Sequence, residues 1–232
     1  MSPKSPRKEL HEAKKGPEDV TLVSLLLDES GSMDSCKGAT ISGFNEYIQG
    51  LKAGSNEKAK AGQICFTFTK FNSDGVKVVH NGIGISKVAN LNDASFKPAS
   101  VTPLYDAIGR TIVAIDKQIE EDKKTKKYNV LMVIMTDGME NASKEYDQKK
   151  IADLISKREK DGWTFAYLGA NQDAWEVGAS FGMSKGNTMT YDTADMRAAF
   201  STLTASSLGY YTANAAPTKS FFNEPKNLKE EK

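Results

Sequence analysis

The stretch Leu25-Leu26-Leu27-Asp28-Glu29-Ser30-Gly31-Ser32 decides how the chain is read. The run Val20–Leu27, with the β-branched Val20, Thr21 and Val23 at its start, reads as a fully buried strand. It stops at an acid. Asp28, Ser30 and Ser32 then recur at alternate positions, with Gly31 between the serines. Alternate positions of an extended or gently curling loop point their oxygens to one side. Gly31 frees the backbone to wrap around a small object. A carboxylate and two hydroxyls at the end of a buried strand make a hard oxygen site, suited to Mg2+ or Mn2+ rather than zinc. Taken alone, the pattern suits an ordinary loop equally well, with Asp34 or Ser35 capping the next helix.

Downstream, Ile41, Phe44, Ile48 and Leu51 form one apolar stripe of a helix over roughly Asp34–Lys52, which Gly54-Ser55-Asn56 is expected to end. Gly62–Phe71 alternates as a strand, Asn72-Ser73-Asp74-Gly75 turns, and Val76–His80 returns as the antiparallel arm of a hairpin. Ile83–Lys97 carries no clear period. Pro103 suits the first turn of a helix whose buried stripe is Leu104, Ile108, Ile112, Ile115 and Ile119, which leaves Thr102 on the entering loop. Tyr128–Met135 is a second continuous apolar strand and also ends in an acid, Asp137. A helix marked by Ile151, Leu154 and Ile155 follows, then a strand Trp163–Leu168. A short helix carries Trp175, Val177 and Phe181; then come an edge strand Thr188–Tyr191 and a helix Asp192–Leu208. This alternation predicts an α/β fold, doubly wound: a mostly parallel six-stranded sheet with one antiparallel strand and helices on both faces.

The ends differ in composition. Residues 1–19 read as a charged, solvated tail, residues 20–211 as the folded domain and residues 212–232 as a polar C-terminal tail, where Pro217 and Pro225 oppose regular structure. Phe221-Phe222 in that tail is either a docking peptide for another protein or a latch onto its own domain. A formal net charge of +1 gives no bulk attraction for a polyanion, so no nucleic-acid partner is expected. No apolar run nears the roughly 20 residues needed to span a bilayer, so neither a membrane span nor a signal peptide is expected. Two cysteines, Cys36 and Cys65, build no disulfide framework, and a reducing cytoplasm is the expected location. The oligomeric state stays open.

In open α/β sheets ligands bind beyond the carboxyl ends of strands, where the strand order reverses. Asp28 and Asp137 follow the two most apolar strands, and Thr102 enters a helix. Three segments thus offer Asp28, Ser30, Ser32, Thr102 and Asp137 to one edge of the sheet, all of them oxygen donors.

These pieces, in this order, resemble the von Willebrand factor A family: the strand into Asp28-Glu29-Ser30-Gly31-Ser32-Met33, then Thr102-Pro103-Leu104-Tyr105-Asp106-Ala107-Ile108, then Ile134-Met135-Thr136-Asp137-Gly138. The likeness covers about Asp19 to Tyr211. It implies a metal-ion-dependent adhesion site made of Asp28, Ser30, Ser32, Thr102 and Asp137. By the resemblance, the serine hydroxyls touch the metal, Thr102 joins when ligand is bound, and the aspartates act largely through water. Thr136-Asp137-Gly138-Met139-Glu140-Asn141-Ala142-Ser143 and Leu168-Gly169-Ala170-Asn171-Gln172-Asp173-Ala174 are similar to stretches in small stand-alone bacterial and phage members.

Neighbouring residues admit simpler roles. Asn171, Gln172 and Asp173 shape a partner surface or, more cheaply, cap a helix. Cys36 sits where a thiol pKa can fall, though packing explains it. Glu29 and Glu140 tune the site or are merely solvated. His80 in the hairpin and His11 in the tail cannot build a triad with Ser30 or Ser32.

Two functions compete. One is a metal-dependent protein-interaction module, in which bound Mg2+ (Mn2+ possible) captures a Glu or Asp of a partner protein. The other is a metal-dependent hydrolase or phosphoryl-transfer enzyme using the same ion as a Lewis acid. The enzyme needs a base or nucleophile beside the metal, and the site loops supply no histidine or spare lysine, only Glu29 and Glu140. Binding is therefore the expectation. The internal acids Glu224, Glu230 and Glu231 are possible ligands for a neighbouring copy's ion, an arrangement that gives rings or open chains.

Overall fold

The computed structural model describes residues 16–57, 62–170 and 174–222. The expectations for residues 1–15, for Asn171, Gln172 and Asp173, and for Pro225, Glu224, Glu230 and Glu231 lie outside the described residues.

Six strands form one sheet: β1 (Glu18–Asp28), β2 (Gln63–Asn72), β3 (Gly75–Gly84), β4 (Lys126–Thr136), β5 (Thr164–Ala170) and β6 (Thr188–Tyr191). Their spatial order is β3-β2-β1-β4-β5-β6. All neighbouring pairs are parallel except β2 with β3. The helices are α1 (Lys37–Glu57), α2 (Leu104–Asp122), α3 (Gln148–Lys160), α4 (Ala174–Ser180) and α5 (Met196–Thr212).

β1 is buried on both faces, which is why its sequence is a continuous apolar run. Val23, Leu25 and Leu27 point into a core with Phe44 and Ile48 of α1 and Phe200 and Leu203 of α5. Val20, Leu22 and Leu26 point into a second core with Ile108 and Ile112 of α2 and Ile151 and Ile155 of α3. Helices therefore cover both faces, as the alternation of elements predicts.

Several local readings need correction. Helix α1 does not start at Asp34: a 3₁₀ helix, Gly31–Cys36, comes first. Nor does Gly54-Ser55-Asn56 end it. Glycine serves packing there. A Cβ on Gly43 would fall 2.2 Å from the Phe200 ring, one on Gly50 2.5 Å from Thr204 Cγ2, and one on Gly54 2.3 Å from Leu208 Cδ2. The missing side chains let α5 lie close along α1. The β3 arm of the hairpin runs on to Gly84, past His80. The unassigned stretch after it holds a short 3₁₀ turn, Ile85–Lys87, and buries Val88, Leu91 and Phe96. The Asn45 side chain grips this loop through both the N–H and the carbonyl of Leu91.

Phe221 resolves as a latch: it is buried in the first core and meets Tyr210 edge-on. Its N–H donates to Asn187 Oδ1, and Asn187 Nδ2 donates to Thr218 O. Among the described residues no helix is long and apolar enough to cross a membrane.

Candidate metal centre

From β1 the chain passes to β2 and β3 on one side of the sheet, then returns to β4 on the other. The carboxyl ends of β1 and β4 thus flank the point where strand order reverses, the usual place for a ligand crevice. Leu27 pairs with Met135, which sets Asp28 beside Thr136 and brings Asp137 to the same edge.

The structure brings the five sequence-predicted residues together. Asp28 is fully buried; its Oδ1 accepts the Ser30 N–H at 2.7 Å and its Oδ2 accepts the Thr136 hydroxyl at 2.6 Å. Ser32 Oγ donates to Asp137 Oδ1 at 2.7 Å, and the Ser30 and Ser32 hydroxyls lie 3.2 Å apart. Thr102 is buried as well. A Cβ built on Gly138 would lie 3.0 Å from Thr102 Oγ1, 3.7 Å from Ser32 Oγ and 3.8 Å from Asp28 Oδ2. Oxygens from two segments of the chain, the loop after β1 and the loop entering α2, thus converge on the face of Gly138, where a side chain would crowd them.

The electrostatics suit a cation. Burial pushes the Asp28 carboxyl up to about 6 against the pull of the Thr136 and Ser30 hydrogen bonds. Burial also raises Asp137, against the Ser32 hydrogen bond. Among the described residues no cluster of three or more histidine, cysteine, aspartate or glutamate side chains is placed to hold a metal. Hydroxyls must therefore supply much of any shell here. An all-oxygen set of two carboxylates and three hydroxyls fits a hard divalent ion.

The loops carrying these groups are tied down. Gly31 N–H donates to Ser100 O at 3.0 Å, and a Cβ on Gly31 would approach that oxygen to 3.3 Å. Glu29 is neither solvated nor free to act as a base. Its Oε1 accepts Lys70 Nζ at 2.5 Å and the Lys97 N–H at 2.7 Å, and Lys70 also donates to Ser95 O. This buried pair holds the loop that leads to Thr102. Glu140 is engaged too: its carboxylate accepts the N–H groups of Tyr105, Ala142 and Ser143. With Pro103 making no side-chain cap, Glu140 and the Ser143 hydroxyl cap α2 from outside, Ser143 taking the Asp106 N–H. Asp106 replies by accepting the N–H groups of Lys144, Glu145 and Tyr146. The Cys36 thiol is raised by burial, the opposite of an activated thiolate.

Sequence reasoning missed Thr136 and Lys70. Thr136 directly precedes Asp137, and its strand position beside Asp28 was the available signal. For Lys70, nothing local in the sequence reveals its pairing with Glu29.

Fold and site together define a doubly wound α/β domain with an oxygen-rich crevice at its topological switch point. No family model matches the sequence, and no curated protein matches it in a sequence search. The fold has clear structural likenesses. Proximal thread matrix protein 1 from the mussel byssus, solved with a zinc-occupied MIDAS motif, superposes with a TM-score of 0.51 at 16% identity, over 84% of this chain and 49% of that one. The pilus adhesin SpaC from Lactobacillus rhamnosus GG gives 0.57 at 13% identity, over 86% of this chain and 31% of that one. The SpRpn10 VWA domain gives 0.50 at 10% identity, over 80% of this chain and 95% of that one. The chain therefore spans under half of the mussel protein and about a third of the adhesin. The fold of this chain is the von Willebrand factor A fold.

Proposed function

We propose that this chain is a metal-dependent protein-interaction module. Asp28, Ser30, Ser32, Thr102 and Asp137 hold Mg2+, with Mn2+ as a substitute, and the site captures a glutamate or aspartate of a partner protein. The observation that carries this reading is the convergence of Thr102, Ser32 and Asp28 oxygens on the face of Gly138, with Ser32 bonded to Asp137. A mussel protein of the same fold has been solved with zinc in its MIDAS motif, which supports a divalent ion here.

A divalent ion held here would be electrophilic toward an outside carboxylate, since the neutral hydroxyls of Ser30, Ser32 and Thr102 would leave its charge incompletely neutralised. The protein's part is to hold its hydroxyls inward, with Asp28 fixed by Ser30 and Thr136. The engagement of Glu29 with Lys70 and of Glu140 with α2 supports binding over hydrolysis, since neither carboxylate is free to serve as a general base. The free, buried thiols of Cys36 and Cys65 support a cytoplasmic setting.

The test is a pull-down with wild type and Asp28→Ala, each in Mg2+ and in EDTA. Proteins retained only by wild type in Mg2+ support the proposal. A set of partners unchanged by both EDTA and Asp28→Ala overturns it.

A further inference from the structure

We infer that Asn141 is the positioning residue for Thr102, locking the loop after Asp137 to the loop that delivers the third hydroxyl of the site. The inference rests on the metal-binding reading and extends it to a residue outside the ligand set.

Asn141 brackets the backbone of Thr102 on both sides. Its Oδ1 accepts the Thr102 N–H at 2.9 Å, and its own N–H donates to Thr102 O at 3.2 Å. Both polar groups of that peptide position are thus held by one residue, 39 positions away in sequence. On the other side, Ser100 is tied to Gly31 and Ala99 to Glu29 through backbone hydrogen bonds. Between these anchors Thr102 has no freedom to turn its hydroxyl from the cradle by shifting its backbone. The next residues of the same loop, Glu140 and Ser143, hold the first N–H groups of α2. The residues that follow Asp137 thus also hold the start of α2. The segment Gly138–Ser143 thus couples the two halves of the cradle, and Asn141 is the member that touches a ligand-bearing residue directly. Because Asn141 is exposed, removing its side chain opens no cavity in the core.

The experiment titrates Mn2+ into the full chain in buffer containing acetate, a carboxylate that stands in for the ligand with which Thr102 joins the ion, and reads the free ion by electron paramagnetic resonance. It compares wild type, Asn141→Ala, Asn141→Asp, Thr102→Ala and the Asn141→Ala/Thr102→Ala double variant. Melting in EDTA reports the fold of each. Asn141→Ala should weaken Mn2+ by about 10-fold, the lower end of what removing an orienting group costs. Asn141→Asp keeps the acceptor and should bind at least as tightly as wild type. In the Thr102→Ala background, Asn141→Ala should change affinity less than about two-fold, because it acts through Thr102. Wild-type affinity in Asn141→Ala, equal loss in Asn141→Asp, or a full additive loss in the double variant overturns the inference. Wild type that binds no Mn2+ overturns the metal reading itself, and the inference falls with it.

Discussion

Ser32 Oγ donates to Asp137 Oδ1 at 2.7 Å, across 105 residues of sequence. This bond joins the turn after β1 to the end of β4, and it exists because those parallel strands are neighbours at the centre of the sheet. It also shows how the protein manages two acidic groups in one crevice. Hydroxyls from Ser32 and Thr136 each satisfy one carboxylate while leaving further lone pairs for a ligand.

Gly138→Ala tests the cradle. The new methyl would meet Thr102 Oγ1 at 3.0 Å, so it fills space rather than removing a donor. Gly138 does not use the left-handed backbone region, so alanine adds no backbone strain. The variant should melt in EDTA within about 2 °C of wild type, the shift of a change well under 1 kcal/mol, yet gain markedly less on adding Mg2+. An undiminished Mg2+ gain would show that the ion does not sit beside residue 138.

Lys70→Met tests the buried pair. It leaves the Glu29 carboxylate in the interior with only the Lys97 N–H. Breaking such a pair costs about 3–5 kcal/mol, more than losing an exposed one. Urea unfolding should show this loss, and adding Glu29→Gln should recover most of it. A Lys70→Met stability within about 0.5 kcal/mol of wild type would show that the pair is not what ties this loop down.

Asp106 sets part of the acid limit of stability. Its burial raises the carboxyl, but the N–H donors of Lys144, Tyr146 and Glu145 outweigh that and hold it below its ordinary 3.8. A folded-state value below the unfolded one stabilises the protein above 3.8, and this contribution is lost as pH falls through the folded value. Asp106→Asn should be less stable at neutral pH and lose less on acidification. Parallel acid limbs for the two proteins in urea unfolding would contradict this.

Two glycines of α1 should behave oppositely. Gly43→Ala drives a methyl into the Phe200 ring at 2.2 Å and should destabilise by about 1–3 kcal/mol net of helix propensity. Gly38→Ala meets nothing within 4 Å and should stabilise by up to about 1 kcal/mol. Thermal melts of both decide it; a stabilised Gly43→Ala would mean that α5 is not seated against that stripe.

The contrast between these glycines marks what the sequence conveys. Apolar runs such as Val20–Leu27 and Tyr128–Met135 announce central strands because both faces are buried, and each ends at a site acid. Helix stripes are equally plain. Gly54 misled because a glycine looks the same whether it breaks a helix or admits a neighbouring one; only the position of Leu208 tells them apart. Phe221 stood in a polar stretch, and its burial depends on Tyr210 and Asn187 being nearby in space. The five candidate ligands were legible as ordered motifs, whereas their supports were not. Glu29 with Lys70, and Asn141 with Thr102, are pairings made by the fold, with no local pattern to betray them.

The most direct measurement is Mn2+ binding by wild type and by Asp28→Ala, read as loss of the free-ion paramagnetic signal, with Mg2+ as competitor. Asp28 anchors the site through the Ser30 N–H and the Thr136 hydroxyl. The account predicts that wild type removes about one Mn2+ per chain from solution, as one carboxylate-and-hydroxyl cradle among the described residues requires. Mg2+ should displace it, Asp28→Ala should bind none in the same range, and moderate salt should matter far less than EDTA. A wild-type chain that leaves Mn2+ free, or an Asp28→Ala chain that binds it equally well, would contradict the account.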